Sequence, residues 1–279
     1  MAAGAGGNRV SLDGGAVEGL SPAAIGACAA LVERGDADRF AAVMAAPVAA
    51  RGRLFVLYAF NLEVARAPWV TQEPMIAEMR LQWWRDVVAE AAEGRPARAH
   101  EVAGPLAALI AEAGLPLPAL DALVEARRWD VYRAPFEDGA ALAAYLEDTG
   151  GGVMWLAGRA LGASGADEAA LRAAGWAAGL AGFLRAVPEL EARGRVPLVD
   201  GRPEAVAALA RQGLARLEAA RQGVRRMGPA RAATIAAWQA EAILRQAARE
   251  PGRVAAGGLG QSEFARRWGL LRAGLRGGL

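Results

Sequence analysis

The chain is 279 residues long, 54% hydrophobic and 22% charged, ample for one large core and too apolar for a disordered chain. Arginine supplies all the Lys/Arg positive charge, and a formal net charge of +2 without an aromatic-interleaved basic run argues against a nucleic-acid partner. A single cysteine, Cys28, excludes an intrachain disulfide framework, and no apolar run is long enough for a membrane span.

Residues 1–20 are Gly-rich and lack the positive and apolar regions of a secretory signal, so a disordered tail is expected before a helical domain over 21–279. Ser21-Pro22 opens the first helix, with serine as N-cap and proline tolerated at the first position; it stops around Gly35. Cys28 reads as a small buried apolar residue, because His100, its one conceivable catalytic base, stands far away in a loop and reads as solvated. A short helix from about Asp38 ends before Pro47. LFVLYAFNLEVARAPW forms the next, broken by Pro68. In the helix that Thr71 opens, Leu81, Trp84, Val88 and Ala91 share a face, and Gly94 and Pro96 end it.

VAGPLAALIAEAG and PLPALDALVEARRWDVY continue in the same style. Ala140 to Leu161 is helical but interrupted by Gly150-Gly151-Gly152, each costing about 1 kcal/mol against alanine. Close approach of another helix or a ligand would offset that. Leu171 to Val187 carries Gly175, Gly179 and Gly182, so these two helices are expected to pack closely, the second stopping near Val187-Pro188. From Pro203 two more helices follow, EAVAALARQGLARLEAARQGVRR and PARAATIAAWQAEAILRQAAR.

The final segment, SEFARRWGLLRAGLR, places Phe264, Trp268, Leu271 and Leu275 at helical spacing with Arg266, Arg267, Arg272 and Arg276 elsewhere on the wheel. It either lies in a bilayer interface or docks on the bundle with a solvated basic edge, and residues 250–279 are a candidate for a loosely attached segment. With no strand signal and no fixed repeat, the prediction is one all-α domain.

Four stretches carry a family likeness: Arg53 to Phe60 (RLFVLYAF), Met79 to Asp86 (MRLQWWRD), Tyr145 to Gly162 (YLEDTGGGVMWLAGRALG) and Leu180 to Val199 (LAGFLRAVPELEARGRVPLV). Their order and spacing, from about Asp38 to about Leu244, resemble the squalene/phytoene synthase family. The resemblance implies a single-domain, isoprenoid-synthase-like helical bundle around a central cavity. It also implies head-to-head condensation of two prenyl diphosphates, with Mg²⁺ held by aspartates four residues apart on facing helices. Those metal ligands are missing. The first aspartate-rich box would fall on Ala65-Arg66-Ala67-Pro68-Trp69, and Ala186 and Leu190 stand where the second would place its aspartates.

Other acids do not substitute. Glu63 is alone, Glu189 and Glu191 cannot share a helical face, and Asp86/Glu90 and Asp121/Glu125 read as solvated helix flanks. The expectation is therefore no catalytic residue, no metal ligand and no cofactor, with Mg²⁺ required only if the chain is an active transferase. Candidate substrate-binding residues are Arg53, Tyr58 and Phe60 from the first signature and Arg185, Arg193 and Arg195 from the second. Arginine's planar fork suits a diphosphate without metal. The alternative is that Arg66, Arg185, Arg193 and Arg195 pair with Glu63, Glu189 and Glu191 or face water, and that the aromatics are core.

Asn61-Leu62-Glu63 and the Trp83-Trp84 helix resemble a non-catalytic branch of the family that includes a mitochondrial complex I assembly factor. That resemblance implies a role in respiratory-complex assembly, with an isoprenoid or prenyl diphosphate ligand, a protein partner in the complex, and a cytoplasmic position, peripheral on the inner face of a membrane. The competing readings are an active prenyl transferase of the squalene/phytoene synthase type and a helical scaffold whose channel is filled by side chains.

Overall fold

A computed structural model describes residues 20–279; residues 1–19, and with them nearly all of the expected tail, lie outside the described residues. The described chain is all-α, a single helical bundle around a central cavity, with no strand among the described residues. Its helices are α1 (Pro22–Gly35), α2 (Ala37–Ala45), α3 (Val48–Arg66), α4 (Pro74–Ala92), α5 (Ala103–Ala113), α6 (Leu117–Ala126) and α7 (Arg128–Val131). They continue as α8 (Gly139–Leu146), α9 (Gly152–Ala160), α10 (Glu168–Ala192), α11 (Pro203–Val224), α12 (Ala240–Arg249), α13 (Gly252–Ala255) and α14 (Glu263–Arg276).

Local chemistry sets several of these ends. The Ala24 amide donates to Ser21 Oγ at 3.2 Å and the Arg39 amide donates to Asp36 Oδ1 at 2.9 Å, each answering an N–H that has no partner inside its helix. Pro68 turns the end of α3 into a 3₁₀ turn over Ala67–Trp69. α3 is the most buried of the early helices, with Leu54 to Leu62 almost continuously inside. A helix apolar all round belongs in the middle of a bundle, and α3 has α1, α2, α5 and α9 around it.

α10 is the axis on which the cavity is built. It packs on α9, α11 and α12 and on a π-helical segment, Glu147–Gly151, that joins α8 to α9. The expected approach of the two glycine-bearing helices is present at that segment. A Cβ on Gly150 would fall 2.6 Å from the Gly175 carbonyl oxygen and 3.0 Å from Gly179 Cα, so only glycine permits this backbone contact. The Thr149 hydroxyl donates to the Tyr145 carbonyl at 2.6 Å, satisfying an acceptor inside the π-helical turn.

Three details differ from the sequence reading. α10 does not stop at Val187-Pro188 but runs through Pro188 to Ala192, because Val187 and Leu190 on either side are buried and their packing holds the last turn. Gly228–Ala237 winds as a 3₁₀ helix before α12 begins. His100 lies in a bend and is half-buried rather than fully solvated, its ring 5.3 Å from Trp83 and 5.2 Å from Trp84, while its Nδ1 accepts the Val102 amide at 3.1 Å.

Candidate functional site

The central cavity encloses about 910 Å³ between α1, α3, α10 and the α6–α8 region. One face of α10 provides its longest wall. Ala178, Gly179 and Gly182 leave space by being small, and Phe183, Ala186, Glu189, Leu190 and Arg193 continue the same face toward the helix C-terminus. Buried Leu31, Leu62, Leu146 and Gly150 line the inner part, whereas exposed Arg34, Arg66 and Glu189 bring charge to the solvent side.

The charges lining the cavity are uneven: Arg34, Arg39, Arg66, Arg127 and Arg193 face only Asp130 and Glu189. Glu189 is occupied by Arg193 at 2.5 Å, one turn along α10. Arg66 lies 3.6 Å from Glu63, an exposed pairing of small energetic weight. Arg34 makes no ion pair among the described residues.

A buried cluster closes another wall. The Tyr145 hydroxyl donates to Asp130 Oδ2 at 3.0 Å, and Arg127 Nη1 donates to the Tyr145 oxygen at 2.9 Å and to Asp130 at 3.3 Å. Burial pushes the Asp130 carboxyl above the usual carboxylate range, and the Arg127 guanidinium offsets part of that. Arg127 Nε has no hydrogen-bond partner among the described residues although it is buried.

Of the six sequence-predicted binding residues, only Arg193 lines the main cavity. Its guanidinium lies 4.8 Å from the centre of the Trp69 ring, against which Arg195 also packs at 5.0 Å. Arg195 is buried away from the cavity and donates to the carbonyl oxygens of Trp129 at 3.1 Å and Tyr132 at 2.5 Å, and to that of Asp130. It thereby satisfies the orphan acceptors around α7. Arg185 reaches Asp38 at 3.0 Å and, with Tyr58, lines a smaller neighbouring space of about 180 Å³.

Burial pushes the Tyr58 hydroxyl up to about 12, so it stays protonated. Phe60 is core, edge to face with Trp84 at 5.4 Å. Arg53 sits on the outside of α3, donating to the Ala160 carbonyl at 3.2 Å and pairing with Glu112. Arg34, Arg39, Arg127, Asp130 and Tyr145 were not singled out by the sequence. The pairing of Arg127 with Asp130 one turn apart was the one available signal.

The Mg²⁺ that this fold family implies does not fit the donors present. Ala65, Ala186 and Leu190 line the cavity at the positions where the resemblance places aspartate-rich boxes. Asp130 is held by Arg127 and Tyr145, Glu189 by Arg193, and no group of three His, Cys, Asp or Glu among the described residues is placed to hold a metal ion.

A family model described as squalene/phytoene synthase matches residues 32–199. A Drosophila melanogaster protein named "NADH dehydrogenase (ubiquinone) complex I, assembly factor 6 homolog" is 32% identical over 179 residues, covering 62% of this chain. The chain spans 53% of that relative's length. Among solved structures, a dehydrosqualene synthase in complex with ligand superposes with a TM-score of 0.71 at 14% identity, over 91% of this chain and 97% of the other. The squalene synthase HpnC from Alicyclobacillus acidocaldarius gives 0.68 at 19% identity, over 83% and 97%. At those identities the likeness concerns the fold alone.

Proposed function

The chain belongs to the squalene/phytoene synthase family, and from that premise we propose that it is a non-catalytic member that holds an isoprenoid or prenyl diphosphate without metal. The observation that carries this reading is the composition of the cavity wall, with Ala65, Ala186 and Leu190 beside Arg66 and Arg193. The inner wall is apolar enough for an isoprenoid tail. The outer wall offers arginines for a phosphate head. About 910 Å³ falls within the range of roughly 300–1,000 Å³ in which small-molecule sites are found.

Without a divalent cation to neutralise the departing diphosphate, the ligand stays whole. Binding would then serve as recognition, and the relative named as a complex I assembly factor supports a role in assembling a respiratory complex.

Titration calorimetry with farnesyl and geranylgeranyl diphosphate, with Mg²⁺ and again with EDTA, tests the reading. The expected result is binding unaffected by EDTA and no released pyrophosphate. Pyrophosphate together with a C30 or C40 product, abolished by EDTA, would overturn it in favour of an active prenyl transferase.

A further inference from the structure

α14 is docked on the bundle by one side and apolar on the other. Its inward side is formed by Arg266, Leu270, Ala273 and Gly274. Arg266 reaches Asp38 at 2.8 Å, and Leu270 and Ala273 pack on the core. A Cβ on Gly274 would lie 3.3 Å from that of Ala45, which sets the helix close against the end of α2.

At 3.6 residues per turn, Phe264, Trp268, Leu271 and Leu275 fall on the opposite side within one narrow stripe. They are 78%, 53%, 51% and 80% exposed. Contact with Ala45 also brings the α2–α3 corner alongside, with its exposed Met44 and Val48. Arg267 flanks the stripe on one edge and Arg272 and Arg276 on the other. Among the described residues neither Arg272 nor Arg276 makes an ion pair. The helix's one acid, Glu263, is taken by Arg266 at 3.4 Å and Arg267 at 2.8 Å.

We propose that this outward face of α14 seats the protein on an anionic lipid surface, the stripe entering the headgroup boundary and the arginines meeting the lipid phosphates. The charge pattern selects this occupant. A second copy packed stripe to stripe would bring arginine rims together with no free carboxylate between them. An apolar stripe between cationic edges matches a bilayer interface with anionic headgroups. Among the described residues no helix is long and apolar enough to cross a membrane, so the helix lies on the surface. The inference goes beyond the function proposed above and is independent of what fills the cavity.

Flotation of the full chain with vesicles of phosphatidylcholine alone, and of equimolar phosphatidylcholine and phosphatidylglycerol, tests it. The wild type should float only with the second. L271D/L275D, which alters only exposed side chains, should weaken binding by about a hundredfold. R272A/R276A should weaken it by roughly thirtyfold and flatten its salt dependence. Both variants should melt like the wild type and bind farnesyl diphosphate equally in vesicle-free calorimetry, which separates this surface from the cavity. Wild type that stays down with both vesicles, variants that float like wild type, or a wild-type dimer that L271D/L275D makes monomeric would each overturn the proposal.

Discussion

Gly175→Ala probes the contact that sets the width of the cavity wall. A Cβ at Gly175 would collide with the Gly150 carbonyl oxygen and lie 2.6 Å from Met154 Cβ and 2.9 Å from Gly151 Cα. Carbon atoms sit comfortably about 3.5–4.0 Å apart, so α10 and the π-helical segment must separate by about 1 Å. Two of the three obstacles are backbone atoms and cannot rotate away, which puts the strain near the upper end of overpacking, about 3 kcal/mol. Alanine returns about 1 kcal/mol of helix propensity.

The net loss is about 2 kcal/mol, or about 3 °C in Tm for a chain of this size. Gly182→Ala is the control on the same helix. No atom lies within 4 Å of its Cβ, so the propensity gain stands alone and stability should rise by up to about 1 kcal/mol. Urea unfolding followed by far-UV circular dichroism reads both. If Gly175→Ala were as stable as the wild type, the glycine contact would not be what holds these segments together.

Arg66→Ala and Arg193→Ala should each weaken farnesyl diphosphate binding about tenfold, as loss of one charge-assisted contact, while changing stability by less than about 0.5 kcal/mol because both are exposed; calorimetry and melting read the two effects. At Asp38, burial pushes the carboxyl up, but hydrogen bonds from Arg185 and Gln239 and the charges of Arg185 and Arg266 outweigh it and hold it below 3.8. Its folded value is depressed, so its contribution is complete above 3.8 and is lost as the pH falls through the lower folded value. Hydrogen-exchange protection in α14, taken relative to the intrinsic rate at each pH, should therefore fall in acid, and Asp38→Asn should reproduce that at neutral pH with a loss of about 1 kcal/mol. Burial pushes the Cys28 thiol up to about 12, so iodoacetamide at pH 8 should leave it unmodified until urea unfolds the chain.

The sequence made the helices and their closest contact legible because both are written locally. Gly150, Gly151, Gly175 and Gly179 would be costly mid-helix without a close neighbour, and the neighbour proved to be the other segment's glycines, whereas Gly182 meets nothing. Side-chain destinations were less legible wherever a partner is remote. Arg195 looked like a phosphate ligand from its place after α10, yet its partners are carbonyls 63 to 66 residues earlier. Arg53 likewise turns outward to Glu112 and Ala160. Pro188 misled for a related reason: the rule that proline ends a helix is local, whereas burial of Val187 and Leu190 is tertiary. Arg127 and Tyr145 gained their place only when the α6–α8 region folded against α10.

One face of α10 carries two separable instructions. Its inner half, Ala178, Gly179 and Gly182, keeps space open by being small. Its outer half, Ala186, Glu189, Leu190 and Arg193, meets the solvent side. On the proposed reading, exchanging acids for Ala186 and Leu190 beside Arg193 keeps the attraction for a diphosphate, because arginine brings its positive charge covalently attached. It removes the ability to gather divalent ions around a departing group, because a guanidinium is itself a cation with no oxygen to offer a metal. Binding and bond cleavage therefore come apart on one helical face, and the same bundle can keep its tail site while giving up its chemistry.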